Sequence, residues 1–114
     1  MWHPLLKKNY QELQRILNQI LHNLNVDSAS LAGDFSTVEE IWQRINQNLN
    51  EDEEMRETIS QPVQTEIHRL MRLLLMDWQF LKVVKPGETK NKRILGMSDR
   101  INSLLKFFSL IIDN

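Results

Sequence analysis

An all-α fold, an antiparallel bundle of three to four helices in a single domain spanning residues 1–114, is predicted by three observations. Helix-forming residues (Leu, Gln, Glu, Lys, Arg, Met, Ile) dominate the chain, while Gly and Pro occur only three times each. Apolar residues recur at steps of three and four over long stretches, which returns them to one face of a helix. No stretch shows the regular alternation of a half-buried strand, and there is no internal repeat. A domain of this size buries roughly two thirds of the surface its unfolded chain exposes. That supplies one core, but not a core and a deep substrate cavity.

The first segment, about Pro4 to Leu24, carries Leu6, Tyr10, Leu13, Leu17, Ile20 and Leu24 on one face, with Ile16 and Leu21 widening the stripe. Pro4 suits a first turn, where its missing N–H is no loss. Asn23, Asn25 and Asp27 mark the exit. Asn25 to Phe35 reads as a loop, with Gly33 and small polar residues supplying the turn chemistry. A second helix is expected from Ser36, which forms a capping box with Glu39, and its face is Val38, Ile41, Trp42, Ile45 and Leu49. The acidic run Glu51, Asp52, Glu53, Glu54 and Glu57 suits a helix N-terminus, where negative charge meets the positive end of the dipole. Pro62 either kinks a continuous helix or sits in the first turn of a new one capped by Ser60; both remain open.

The third helix, about Pro62 to Val84, has Val63, Ile67, Leu70, Leu74, Trp78 and Leu81 on its main face. Leu73, Leu75, Met76, Phe80, Val83 and Val84 spread apolarity around the cylinder, so this helix is expected to be buried all round, by its own bundle or by a second chain. Lys85-Pro86-Gly87 forms a tight turn. Thr89 is the expected cap of the last helix, about Thr89 to Ile112, whose seam is Ile94, Met97, Ile101, Leu104, Phe108 and Ile111. Gly96 inside that helix suggests close approach of a neighbour, and Phe107 and Leu110 fall off the seam.

The chain has no cysteine, so disulfides and thiolate chemistry are excluded. The start lacks the basic stretch and apolar core of a signal peptide, and Leu70 to Val84 is too short and too charged to span a bilayer. A cytoplasmic location with no membrane span is the expectation. Net charge is −1, unevenly spread: residues 1–57 hold 5 basic and 10 acidic side chains (−5), and residues 58–114 hold 9 and 5 (+4). Such asymmetry steers a partner, or reflects acidic and basic helices attracting each other within the bundle.

Signals for an enzyme are absent. The three glycines stand apart and cradle no phosphate, no nucleophile motif occurs, and no Glu-x-x-His pair supports a carboxylate-bridged metal. No cofactor, no metal and no catalytic residue are therefore expected. His68 beside Arg69 and Arg72 raises a phosphotransfer domain as an alternative, but the bulky Leu70-Met71-Arg72 that follows stands where such domains keep a small residue. Nucleic acid is not expected as a partner, since the whole chain lacks a positive excess. The candidate site is a protein-binding basic edge, Lys82, Lys85, Lys90, Lys92 and Arg93. The acidic run at Glu51 to Glu57 is a second docking candidate that the sequence does not rank against it. Self-association into a homodimer is a further alternative, motivated by the apolar excess of Leu70 to Val84.

The run Val63-Gln64-Thr65-Glu66-Ile67-His68-Arg69-Leu70-Met71-Arg72-Leu73-Leu74 continues to Asp77 and Phe80-Leu81, and a proline turn and a final helix with Asp99-Arg100-Ile101 follow. This pattern resembles the PatD heterocyst frequency control family of cyanobacteria. The resemblance covers residues 60–112 best. Tyr10-Gln11-Glu12-Leu13 and the layout of the N-terminal half agree more loosely. The shared residues form a helical run, not a catalytic signature, and the turn Lys85 to Thr89 departs from the family pattern. The resemblance implies a small, non-enzymatic cytoplasmic regulator of heterocyst differentiation, cell division and cell size, which binds the division protein FtsZ and promotes its assembly. No family residue is assigned to that contact, so none carries over.

Overall fold

The computed structural model describes the backbone of residues 4–24 and 28–113. Among the described residues lie five helices: α1 (Pro4–Asn23), α2 (Ser28–Glu51), α3 (Glu53–Thr58), α4 (Gln61–Leu81) and α5 (Glu88–Asp113). No strand occurs among the described residues, so the all-α class holds, with one helix more than the three to four expected. The extra element is α3, one and a half turns built from the acidic run. Asp52 is its N-cap, with Oδ1 accepting a hydrogen bond from the Met55 backbone N–H at 3.2 Å. Glu53 and Glu54 lie in the first turn, where the helix dipole favours them.

The expected loop from Asn25 to Phe35 is overturned over most of its length: α2 begins at Ser28, and Asn25, Val26 and Asp27 lie outside the described residues. The reason is apolar spacing. Leu31, Phe35 and Val38 extend the stripe of Ile41, Ile45 and Leu49 backwards, and all six are buried. That burial outweighs the turn preference of Gly33, which faces open space. Ser36 and Glu39 are consequently interior to the helix and form no capping box. Pro62 begins a helix rather than kinking one, as the second residue of α4. Ser60 occupies the N-cap position but makes no side-chain cap bond. Gln64 ties the junction instead, its Nε2 donating to the Arg56 and Ile59 carbonyls at 2.5 and 2.8 Å. At the last junction Gly87, not Thr89, precedes the helix, and its carbonyl accepts from Asn91 N–H at 3.0 Å. Gly87 has φ +151°, in the region that favours glycine.

The seams of α1 and α5 are buried as expected, from Leu6 to Leu24 and from Ile94 to Ile111. They meet where the Tyr10 and Phe108 rings lie 5.1 Å apart and Gln14 Nε2 donates to Ser109 Oγ at 3.2 Å. The start of α1 therefore meets the end of α5. Gln19 donates to Asp34 at 3.0 Å and Glu12 pairs with Arg44 at 3.6 Å, so α1 and α2 run in opposite directions. Asp77 of α4 meets Arg93 and Arg100 of α5. α1 packs closely on α2 and α5, and α4 on α5. α2 and α4 are joined differently, by aromatic side chains: Phe35 stacks on Trp78 at 4.6 Å, and Trp42 lies tilted on His68 at 4.9 Å.

α4 is not buried all round. Ile67, Leu70, Met71, Leu74, Trp78 and Leu81 enter the core, while Leu75 and Val84 are half-buried. Met76 and Val83 remain 60% and 80% exposed. Gly96 does not mediate close helix approach. A Cβ there would meet only Arg100 Nη1 of its own helix, at 3.4 Å.

Candidate protein-binding surface

The turn between α4 and α5 places the candidate cations. α4 ends as Val83 N–H and Val84 N–H both donate to the Phe80 carbonyl at 3.1 Å. Pro86 then fixes φ and Gly87 supplies the unusual backbone angle that reverses the chain. Lys82, Lys85 and Lys92 are exposed around this turn and Lys90 is half-buried beside it. Lys82 is the C-cap residue of α4, and its Nζ sits 5.5 Å from the Trp78 ring centroid. Lys92 pairs with Glu88 at 3.5 Å, but both side chains are mostly in water, so the pair holds neither firmly.

Arg93 separates from the four lysines. Its Nη1 donates to Asp77 Oδ1 at 2.9 Å, and its guanidinium lies 4.2 Å from the Phe80 ring centroid. Arg100 Nη1 donates to the other carboxylate oxygen of the same Asp77. Asp77 is thus a buried anion between two cations, with its side chain 3% exposed against 38% for Arg93 and 28% for Arg100. Arg93 and Arg100 are seven residues apart, two turns on one helix face, so both reach the same point on α4. The basic edge presented to solvent is therefore made by Lys82, Lys85, Lys90 and Lys92, with Arg93 drawn towards the α4–α5 contact.

Every ion pair among the described residues joins side chains of the same half of the chain: Glu12–Arg44, Glu66–Arg69, Glu88–Lys92 and the two to Asp77. Among the described residues, then, no direct ion pair joins the acidic N-terminal half to the basic C-terminal half. Of the acidic run, Met55 is buried and Glu53, Glu54 and Glu57 are exposed.

A second feature lies along the α2–α4 seam, where backbones stand apart and side chains bridge the gap. The seam opens at two places, a hollow of about 980 Å³ beside Leu31, Ser36, Trp78 and Lys82 and one of about 860 Å³ beside Trp42, His68, Arg72 and Met76, with Gln79 lining both. Lys90 enters the first hollow from the start of α5. In the sequence His68 and Arg72 suggest only phosphotransfer chemistry, and the spacing of Trp42 puts it on the core face of α2. Trp42 is in fact half-buried, at the lip of the second hollow. The one available signal was its position at the edge of the α2 stripe, one residue after Ile41. His68 is exposed as a residue, yet partial burial of its imidazole lowers its pKa below the usual histidine value.

Among the described residues, no group of three or more His, Asp and Glu side chains is placed to hold a metal, and no helix is long and apolar enough to cross a membrane. Comparison of the chain with known protein families, with curated proteins and with solved structures yields no match.

Proposed function

We propose that this chain is a non-enzymatic, cytoplasmic protein-binding regulator of the PatD type, acting in heterocyst differentiation and cell division by binding FtsZ and promoting its assembly. The proposal rests on the sequence resemblance over residues 60–112. The observation that carries its physical side is the edge of exposed Lys82, Lys85 and Lys92, with half-buried Lys90 beside them, at the α4–α5 turn. These lysines lie in the half of the chain with a net charge of +4. Only Lys92 has an ion-pair partner among the described residues, and that partner is itself exposed. Such an edge is suited to an acidic protein surface, and its attraction is felt over about 10 Å at moderate salt. Arg93 contributes to the same edge through its exposed fraction while Asp77 anchors it.

Sedimentation with assembled FtsZ from a heterocyst-forming cyanobacterium, with and without GTP and at two salt concentrations, tests the proposal. Co-sedimentation that weakens as salt rises is the expected result. The double reversal Lys85→Glu and Lys92→Glu, which spares the Arg93–Asp77 bond, is expected to weaken it strongly, and unchanged binding would refute this choice of surface. No co-sedimentation at either salt removes the FtsZ reading itself. A second reading, self-association through α4, is favoured by the exposure of Met76 and Val83. Light scattering decides it by giving a dimer mass.

A further inference from the structure

We infer that the seam between α2 and α4 is a docking groove for an amphipathic helix of a partner protein, one that presents apolar residues along one face and acidic residues along both flanks.

The groove arises because the α2–α4 contact is made by rings. Phe35 on Trp78 and Trp42 on His68 hold the two helices at the reach of aromatic side chains, while the other long neighbours pack closely. Its two hollows share Gln79 and follow α4 from Gln61 to Lys82, a length of about 33 Å at 1.5 Å per residue. That is the span of about six helical turns, and the gap between two helices is the natural seat of a third by ridge-and-groove packing.

The lining states the chemistry of the occupant. The floor and lips offer Trp42, Leu75 and Met76, of which Met76 is 60% exposed. An adaptable thioether beside an indole suits aliphatic side chains from a partner. The cations of the lining are Arg69, Arg72, Lys82 and Lys90, against the single acid Glu39. Arg69 is engaged by Glu66, whereas Arg72 has no ion-pair partner among the described residues. A helix with acidic flanks meets these cations on entry, and a helix with basic flanks is repelled by them. The groove is distinct from the FtsZ reading. It shares Lys82 and Lys90 with the basic edge, but its apolar part lies one to three turns away, around Trp42, Arg72 and Met76.

The test uses the full chain and a designed, fluorescein-labelled peptide of about 18 residues with Leu along one face and Glu along both flanks. Amide chemical-shift mapping locates the binding and anisotropy measures it. We expect saturable binding with shifts along α2 and α4, and binding at least about tenfold weaker when Lys replaces Glu in the peptide. Arg72→Glu and Met76→Glu are each expected to weaken it about tenfold, while Lys106→Glu, exposed on α5 away from the groove, leaves it unchanged. All three sites are exposed, and circular dichroism verifies that the variants fold. Absence of saturable binding, equal binding of the Lys peptide, or shifts confined to other helices overturns the inference. So does a dimer, seen by light scattering, that Met76→Glu disrupts, because the occupant is then a second copy. Peptide binding without FtsZ co-sedimentation leaves the groove standing and removes the FtsZ reading; the converse removes only the groove.

Discussion

Asp77 and its two arginines give the most discriminating test of how this bundle is held together. Asp77→Ala removes the anion and leaves Arg93 and Arg100, whose side chains are 38% and 28% exposed, still able to reach water. The two charge-assisted hydrogen bonds are worth about 1.5–3 kcal/mol each when formed. Rehydration of both cations returns much of that, so the expected loss is about 1–2 kcal/mol. Arg93→Met with Arg100→Met does the reverse: it leaves a carboxylate that is 3% exposed with no cation beside it. An uncompensated buried charge of this kind costs about 3–5 kcal/mol. Adding Asp77→Leu to that double variant replaces the whole charged cluster by apolar volume and is expected to restore stability to within about 1 kcal/mol of the parent. The assay is urea unfolding at pH 7 followed by circular dichroism, with the slope of free energy against urea unchanged across the series. A loss of 1 kcal/mol corresponds to about 4 °C in melting temperature for a chain of this size. If Asp77→Ala proves worse than the double arginine variant, or the triple variant no better than the double, the charge-burial argument fails.

Glycine replacement offers a contrast within one chain. Gly96→Ala is expected to stabilise by about 0.5–1 kcal/mol, since the new Cβ meets one flexible guanidinium at 3.4 Å and helix propensity improves. Gly87→Ala, at φ +151°, is expected to destabilise by about 1 kcal/mol or more, and thermal melts of the two variants should move in opposite directions. Asp52→Ala removes the cap of α3 and should cost about 0.5–2 kcal/mol, with loss of hydrogen-exchange protection confined to the α2–α4 junction. His68 sets a pH dependence. Burial lowers its folded pKa below the unfolded value near 6.5, so the unfolded chain binds more protons between the two values. Stability is therefore complete above about pH 6.5 and falls as pH drops towards the folded pKa. His68→Gln should flatten that part of a urea stability profile taken from pH 7.5 to 5.5.

The parts legible in the sequence are those where spacing alone decides. The α1 and α5 stripes repeat by threes and fours without interruption, and every residue assigned to those seams is buried except Leu21 at the stripe's margin, which is half-buried. The start of α2 was misread because local and non-local signals conflict there. Gly33 and its small polar neighbours resemble a turn, yet Leu31 and Phe35 gain more by joining the core than a loop would save. Residue type points to Thr89 as a cap, whereas the conformation available to Gly87 places the cap two residues earlier. Met71 escaped the α4 seam because its neighbour Leu70 matched the same periodicity.

The candidate site divides in the same way. The lysine edge was readable because its members crowd a Pro-Gly turn that any structure must expose. Arg93 was grouped with them by proximity in sequence, but its bond to Asp77 depends on the α4–α5 register. The groove was not readable at all, because no single helix contains it.

Amino-acid order by itself determined that this protein is helical, which faces of α1 and α5 seek a core, where the chain must reverse at Pro86-Gly87, and that charge is divided between its halves. These follow from side-chain periodicity and backbone chemistry, which act over a few residues. Tertiary structure alone decided that Asp77 lies between Arg93 and Arg100, that Phe35 and Trp42 hold α2 at the reach of a ring from α4, and that Met76 and Arg72 are left facing a groove. Each depends on the separation and register of helices distant in sequence, and so on the shapes of side chains meeting across the core.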